Sequence, residues 1–393
     1  MEAAKAAREA AGEAKAAAVK AKSSPGAAAA PPPPPAKIPA NVTAPDSEPA
    51  AKKASPVAAI APASAVAVPD AGSAAAPVPP PKIVLTPAKK LFGAAKTAAP
   101  LAARAIGSYA RGCMAGAKPL AIDAPAWQAM RLSRNRNWGH PKLITLLERF
   151  ATEMKEKENW PGLLIGDLAQ PRGGPMLTGH RSHQLGLDAD VWFKPKPEKV
   201  LTRAERETHE PLLLAEDKGT EVIAANWNEG FVRLVKRAAS YPEVERIFVH
   251  PAIKKEFCKA AGTDRGWLLK VRPMWLHNYH FHIRMGCPAG SPSCEKQKDP
   301  PKGDDGCGKE LNDWLALVSA PPKPKPVPAP PPKAPAPEMT LTSLPQECRS
   351  VLLAGEAKDS VPAKAVADAA AAEAATKAAA AKIKAAAKSK PAP

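Results

Sequence analysis

Five of the eight histidines fall in two short stretches, GHRSHQLGLDADVWF (179–193) and HNYHFHIRMGC (277–287). In LDADVWF, Leu187, Ala189, Val191 and Phe193 share one face of an extended chain, while Asp188, Asp190 and Trp192 share the other. In HFHIRM, His280, His282 and Arg284 share a face, and Phe281, Ile283 and Met285 point away. Each run thus offers an apolar face for a core and a face of metal-binding side chains. Catalytic zinc sites typically take three ligands from His, Asp or Glu and keep a fourth position for water. Two histidines and one aspartate drawn from both stretches meet that need. Side chains two apart on a strand stand roughly 7 Å from each other, so one histidine of a His-x-His pair can ligate while its neighbour reaches a substrate.

Other chemistry is poorly represented. There is no HExxH helix and no CxxC pair, and GGP at 173–175 lacks the Lys-Ser/Thr that completes a phosphate loop. The Ala/Lys-rich end has no aromatics for base stacking, so it reads as a solvated polycation and not as a sequence-reading nucleic-acid module.

The elements that must position these residues alternate in type. PKLITLLERFATEMKEK (141–157) spaces Leu143, Leu146, Leu147 and Phe150 for one helix face, and EGFVRLVKRAAS (229–240) reads likewise. GLLIGDL, LDADVWF, RIFVH and HFHIRM are short runs bounded by Gly, Pro or charge and read as strands. Strands interleaved with helices predict an α+β domain.

Of 393 residues, 48 are proline, and all 18 aromatics lie between Phe92 and Trp314. Segments without aromatics bury too little apolar surface to offset ordering, which costs about 1–2 kcal/mol per residue. The chain therefore divides into a disordered Ala/Pro-rich extension (1–97, with a solvated helix plausible over 1–22), one catalytic-size domain (98–320), a Pro-rich linker (321–343), a short helical segment around Cys348 (344–355) and an Ala/Lys-rich tail (356–393). No run of about 20 apolar residues exists, which excludes a spanning helix. The net charge of +18 calls for an anionic partner or surface without choosing among nucleic acid, membrane and cell wall. Six cysteines form an even set that permits fifteen pairings and hints at an oxidising compartment. The amino terminus, MEAAKAAREAAGEAKAAAVKAK, is charged throughout and lacks the apolar stretch of a secretory signal.

Several motifs, in order, closely resemble the penicillin-insensitive murein endopeptidases of the lysostaphin/D-Ala-D-Ala metallopeptidase group: IGSYARGCMAGAKPL, GHPKL, LLIGDLAQPRGG, GHRSHQLGLDADVWF, RIFVHPAIKKEFC, AGTDRGWLLKVRP and HNYHFHIRMGCPAGSPSC. The resemblance covers about residues 105–316, with a further match at Cys348. It implies a single zinc-peptidase domain whose small antiparallel sheet carries the metal site, flanked by disordered tails. It also implies a zinc-dependent, periplasmic DD-endopeptidase that hydrolyses D-alanyl–meso-diaminopimelyl cross-links in peptidoglycan without a serine nucleophile.

Residue by residue, the resemblance places the zinc ligands at His183, Asp190 and His282, the catalytic histidine at His280 and a further active-site histidine at His277. His180 and Asp217 match two ligands of a second metal site, with Thr220 standing where the family pattern has histidine and Glu221 the nearest substitute. The implied disulfides are Cys113–Cys348, Cys258–Cys307 and Cys287–Cys294. Cross-link peptides of peptidoglycan are the implied partner, with no specific nucleic acid and no membrane span. Family members carry a secretion signal, so a periplasmic location requires another start or another export route. The competing readings are a non-catalytic peptidoglycan-binding protein on the same fold and a polycationic nucleic-acid binder acting through the tail.

Overall fold

The computed structural model describes residues 85–321, 338–356, 358 and 360–388. The expected extension over 1–84, including the helix read over 1–22, and most of the Pro-rich linker lie outside these residues.

The elements run α1 (Ala88–Ala94), β1 (Arg104–Ser108), β2 (Arg111–Ala115), β3 (Lys118–Pro119), β4 (Asp123–Ala124), β5 (Trp127–Ala129), β6 (Trp138–Gly139), α2 (Pro141–Lys157), β7 (Leu163–Ile165) and β8 (Asp188–Trp192). They continue with α3 (Arg203–Thr208), α4 (Gly230–Ser240), β9 (Val244–Val249), α5 (Pro251–Ala260), β10 (Val271–Pro273), β11 (His280–Met285), α6 (Lys309–Ser319), α7 (Glu347–Leu353) and α8 (Val361–Lys388).

Seven strands form the main sheet in the order β10-β9-β11-β8-β7-β5-β4. This is larger and more mixed than the small antiparallel sheet expected. Its centre, β9-β11-β8-β7, is antiparallel, but β9 pairs β10 and β5 pairs β7 in parallel. Each parallel pair is joined through a helix, α5 and α2 respectively, the crossover that parallel pairing requires. At three residues each, β5, β7 and β10 are too short for alternation to reveal much.

One face of this sheet holds the core. Ala189 and Val191 of β8 and Phe281, Ile283 and Met285 of β11 pack with Leu143, Leu147 and Phe150 of α2 and with Phe231, Leu234 and Val235 of α4. The alternation that aims these apolar residues inward sends Asp190, His280 and His282 to the opposite face.

A second core lies beside the first. Leu91 and Phe92 of α1, Ile106 and Cys113 of the β1–β2 hairpin, Val351 and Leu352 of α7, and Ala365 and Ala369 of α8 form it. The expected disorder is thereby corrected for two segments, Ala88–Ala94 and Val361–Lys388. Ala88–Ala94 is folded because Phe92, the first aromatic of the chain, is fully buried. Residues 361–388 are helical because Ala favours helix and because Ala365 and Ala369 give one face a place to pack. Arg349 of α7 also pairs with Glu373 of α8.

Three disulfides, Cys113–Cys348, Cys258–Cys307 and Cys287–Cys294, take up all six cysteines. They are the three that the resemblance implies. Arg172 completes the anchoring of α7 by donating to the carbonyls of Val351 (3.1 Å) and Leu352 (2.5 Å) at its last turn.

Candidate metal centre

β8 and β11 lie side by side with His282 opposite Asp190 and Arg284 opposite Asp188. That register sets the His-x-His and Asp-x-Asp faces against each other, since directly opposed side chains start only about 4.5–5.5 Å apart. Asp190 is the hub. Its Oδ1 lies 3.4 Å from His183 Nε2, 3.2 Å from His282 Nδ1 and 3.6 Å from His280 Nε2, and its Oδ2 lies 3.5 Å from His180 Nδ1.

His183 arrives from the loop before β8 with its backbone in the left-handed region, φ 67. Such a conformation costs a non-glycine residue roughly 1–3 kcal/mol and needs local support. Support comes from Asp188, whose Oδ2 accepts the His183 backbone N–H at 2.8 Å, and from the Leu168 carbonyl, which takes the proton of His183 Nδ1 at 2.5 Å. With Nδ1 engaged, Nε2 is the nitrogen that faces Asp190.

Asp188 performs the same service for His282. Its Oδ1 accepts from His282 Nε2 at 2.9 Å and from Arg284 Nε at 2.7 Å. His282 Nδ1 is thereby turned toward Asp190. This is the carboxylate–histidine pairing that orients metal-bound imidazoles.

His183 Nε2, Asp190 Oδ1 and His280 Nδ1 are buried with no hydrogen-bond partner. Buried polar atoms are nearly always satisfied. A nitrogen and a carboxylate oxygen orphaned 3.4 Å apart suit a shared cation, so these residues fit a metal ion. His180, His183 and Asp190 also offer three ligand atoms mutually within 4.8 Å.

The structure thus brings together His180, His183, Asp190, His280 and His282. His277 adjoins them, its ring 5.0 Å from that of His280 and 5.8 Å from that of His282. Its Nδ1 donates to the Trp275 carbonyl at 2.7 Å. Asp217 is not in the group. Its Oδ1 accepts from Asn278 at 2.9 Å, while His180 turns its Nε2 to Asp167 at 3.0 Å. Glu221 is exposed and paired with Lys255.

Asp167 has no place in the sequence reading, and Asp188 enters it on the face of Asp190 without a role of its own. Asp188 had a signal, since alternation puts it on the same face as Asp190. Asp167 had none, because its partners Arg134, Arg136 and His180 come from distant segments.

Burial would raise the Asp190 carboxyl, but the His183, His280 and His180 rings around it hold it well below the usual range. Burial likewise opposes ionisation of Asp188, yet Arg284 and His282 keep it charged. His282 rises despite its burial because Asp188 and Asp190 flank it. Burial lowers His280 to about 4, against the pull of Asp190. Burial and the neighbouring His280 and His282 rings push His277 down. The cluster therefore holds two carboxylates and two uncharged imidazoles near neutral pH.

Fold and site define a mixed α/β domain with a buried His/Asp cluster suited to a divalent metal. The family profile described as penicillin-insensitive murein endopeptidase matches residues 105–353, and the chain belongs to that family. A penicillin-insensitive murein endopeptidase of Haemophilus influenzae is 46% identical over 218 residues, covering 56% of this chain and 74% of the relative. Another, of Klebsiella pneumoniae, is 41% identical over 250 residues, covering 64% and 86%.

Proposed function

We propose that the protein is a zinc-dependent murein DD-endopeptidase that hydrolyses the D-alanyl–meso-diaminopimelyl cross-link. The observation that carries this reading is the pair of buried, unpartnered atoms His183 Nε2 and Asp190 Oδ1, with His282 Nδ1 turned to the same carboxylate oxygen. His183, Asp190 and His282 would hold the metal. When bound, zinc supplies a Lewis acid for the scissile carbonyl and lowers the pKa of water toward about 7.

The chain's own groups do the rest. His280, kept uncharged by burial, has a free ring nitrogen to take the proton that the attacking water gives up and to return it to the leaving amine. His277, with Nδ1–H engaged by the Trp275 carbonyl, presents Nε2 as a second acceptor or, once protonated, as a donor to developing negative charge. Asp188 and the Leu168 carbonyl fix the tautomers of His282 and His183.

Three disulfides favour the periplasm, where thiols are not kept reduced. Among the described residues, no helix is long and apolar enough to cross a membrane.

Digestion of purified cross-linked muropeptides tests the reading. Dimers should fall to monomers with the purified protein, chelator should stop the reaction, and zinc should restore it. Full activity in excess chelator, or intact dimers with zinc-loaded protein, refutes it.

A further inference from the structure

Three arginines, Arg131, Arg134 and Arg136, lie within six residues on the connection between β5 and β6. Arg131 and Asn135 take left-handed backbone, φ 54 and 51, and bracket a 3-10 turn, Leu132–Arg134. Glu207 pins this turn by accepting from the Ser133 backbone N–H at 2.8 Å and its hydroxyl at 2.7 Å. Trp138 Nε1 donates to Asn135 Oδ1 at 2.8 Å on the other side. The turn walls a cavity of about 190 Å³ that is also lined by His180, Asp190, Trp192 and Tyr279. Arg131 and Arg134 therefore face the same space as the metal-centre aspartate.

Charge in this space does not balance. Asp167 Oδ2 accepts from Arg136 Nη1 at 2.8 Å, from Arg134 Nη1 at 3.0 Å and from His180 Nε2 at 3.0 Å. Arg136 is 7% exposed and claims this carboxylate from within, whereas Arg134 is 46% exposed at the cavity rim. Among the described residues Arg134 has no other partner, so most of its guanidinium fork is open. Arg131 gives its N–H groups to the carbonyls of Arg206, Glu207 and His209 and stacks on Trp192 at 5.3 Å, meeting no carboxylate there. Asp190, the remaining carboxylate, is surrounded by histidines. With the buried Arg136 counted beside the lining residues, three guanidiniums (Arg131, Arg134 and Arg136) meet two carboxylates (Asp167 and Asp190), and Arg134 carries the open guanidinium on a turn pinned by Glu207.

The cross-link named above carries a group that matches this surplus. In a D-alanyl–meso-diaminopimelyl bond, the carbon attached to the scissile nitrogen bears a free carboxylate. A receiver for that carboxylate has to share a cavity with the metal ligands, because a single carbon separates it from the bond that breaks. We propose that Arg134 is a specificity-determining residue that receives this carboxylate through its open guanidinium, in the field of Arg131. This rests on the reaction proposed above. A guanidinium fork pairing a carboxylate in a partly enclosed site is both strong and directional.

The test compares two substrates on zinc-loaded, full-length protein: a cross-linked muropeptide dimer, and the same dimer with that one carboxylate converted to carboxamide. Wild-type kcat/KM should favour the free carboxylate by roughly 10- to 100-fold, the usual effect of losing one charged hydrogen-bond partner. Arg134→Gln should bring the ratio near one while zinc content stays at one per chain. If Arg134→Gln slows both substrates by the same factor and keeps the wild-type ratio, Arg134 acts only by positioning His180 through Asp167, and the proposal fails. Equal cleavage of both dimers by wild type overturns the subsite and leaves the reaction standing. Cleavage of neither overturns the reaction, and the subsite with it.

Discussion

At the scale of single residues, ligand and catalytic roles separate by what each side chain leaves behind. His183→Ala, Asp190→Ala and His282→Ala should each lose zinc and activity together, because only two of the three proposed ligands would remain. Elemental analysis of the purified variants checks this, and full zinc in any one removes that residue from the ligand set. His280→Ala should keep its zinc and lose about 10²- to 10⁴-fold in turnover, the usual size of an acid–base contribution. Asp188→Asn should bind zinc about 10- to 100-fold more weakly by competition with a chelator, since Asp188 holds both His183 and His282 and lies outside the proposed ligand set. Wild-type zinc affinity in Asp188→Asn would show that the histidines hold their orientation without it. The shared face of Asp190, His280 and His282 was legible in the sequence because a strand has a period of two. The supporting role of Asp188 was not, since a carboxylate two residues from Asp190 looks the same whether it binds a metal or holds a histidine.

At the scale of elements, helix α2 begins at a buried titratable cap. His140 Nδ1 accepts the backbone N–H of Lys142 at 3.2 Å, with Pro141 at the first helical position. Burial, with Lys142 nearby, lowers His140 to about 4 from its ordinary value of about 6.5. A histidine depressed on folding is protonated sooner in the unfolded chain. Its contribution is therefore complete above about pH 6.5, declines as pH falls toward 4 and is level below that. A decline of about 2–3 kcal/mol is expected in metal-free protein over this range. His140→Asn, which keeps a capping acceptor but does not titrate, should show a smaller loss between pH 7 and 4.5 in urea unfolding. Equal losses in both proteins would show that the cap does not titrate as described.

The loop from 173 to 186 shows a second element-scale constraint. Gly186 has φ +66, and a Cβ there would stand 2.0 Å from Met114 Sδ and 3.0 Å from the His140 nitrogen. Gly186→Ala should cost more than about 2 kcal/mol and weaken zinc binding, as thermal melts and metal titration would register. Helices at 141–157 and 229–240 could be read from apolar spacing to within a residue. The three-residue strands could not, because they are held by crossover partners and carry almost no pattern of their own.

At the scale of the whole molecule, the Cys113–Cys348 bond closes a separation of 235 residues and fastens α7 to the β1–β2 hairpin. Loop entropy for that span suggests about 5 kcal/mol of stabilisation, and typical native bonds give about 2–4 kcal/mol. Removing it in Cys113→Ser/Cys348→Ser should lower stability within that range by urea unfolding and open the α7–α8 segment to protease before the main domain. Simultaneous proteolysis of both would show one cooperative unit. Protein isolated from its own cells should present no reactive thiol before reduction, and mass mapping should join Cys287 to Cys294. Six free thiols there would remove the support for a periplasmic location.

Much of this protein was determined by local sequence. Alternation in two strands separated the core face from the His/Asp face, and the distribution of aromatics located the main sheet and its core. Those properties depend on neighbours two to four residues away, which a linear reading contains. Only the tertiary structure decided that β8 and β11 pair in the register that opposes His282 to Asp190, and that Asp167 joins Arg134, Arg136 and His180. It also ordered two segments read as disordered: α1 and α8 pack on a second core drawn from segments up to about 280 residues apart. Such contacts follow from which apolar surfaces and charges meet once the chain is compact, and no spacing along the sequence encodes that.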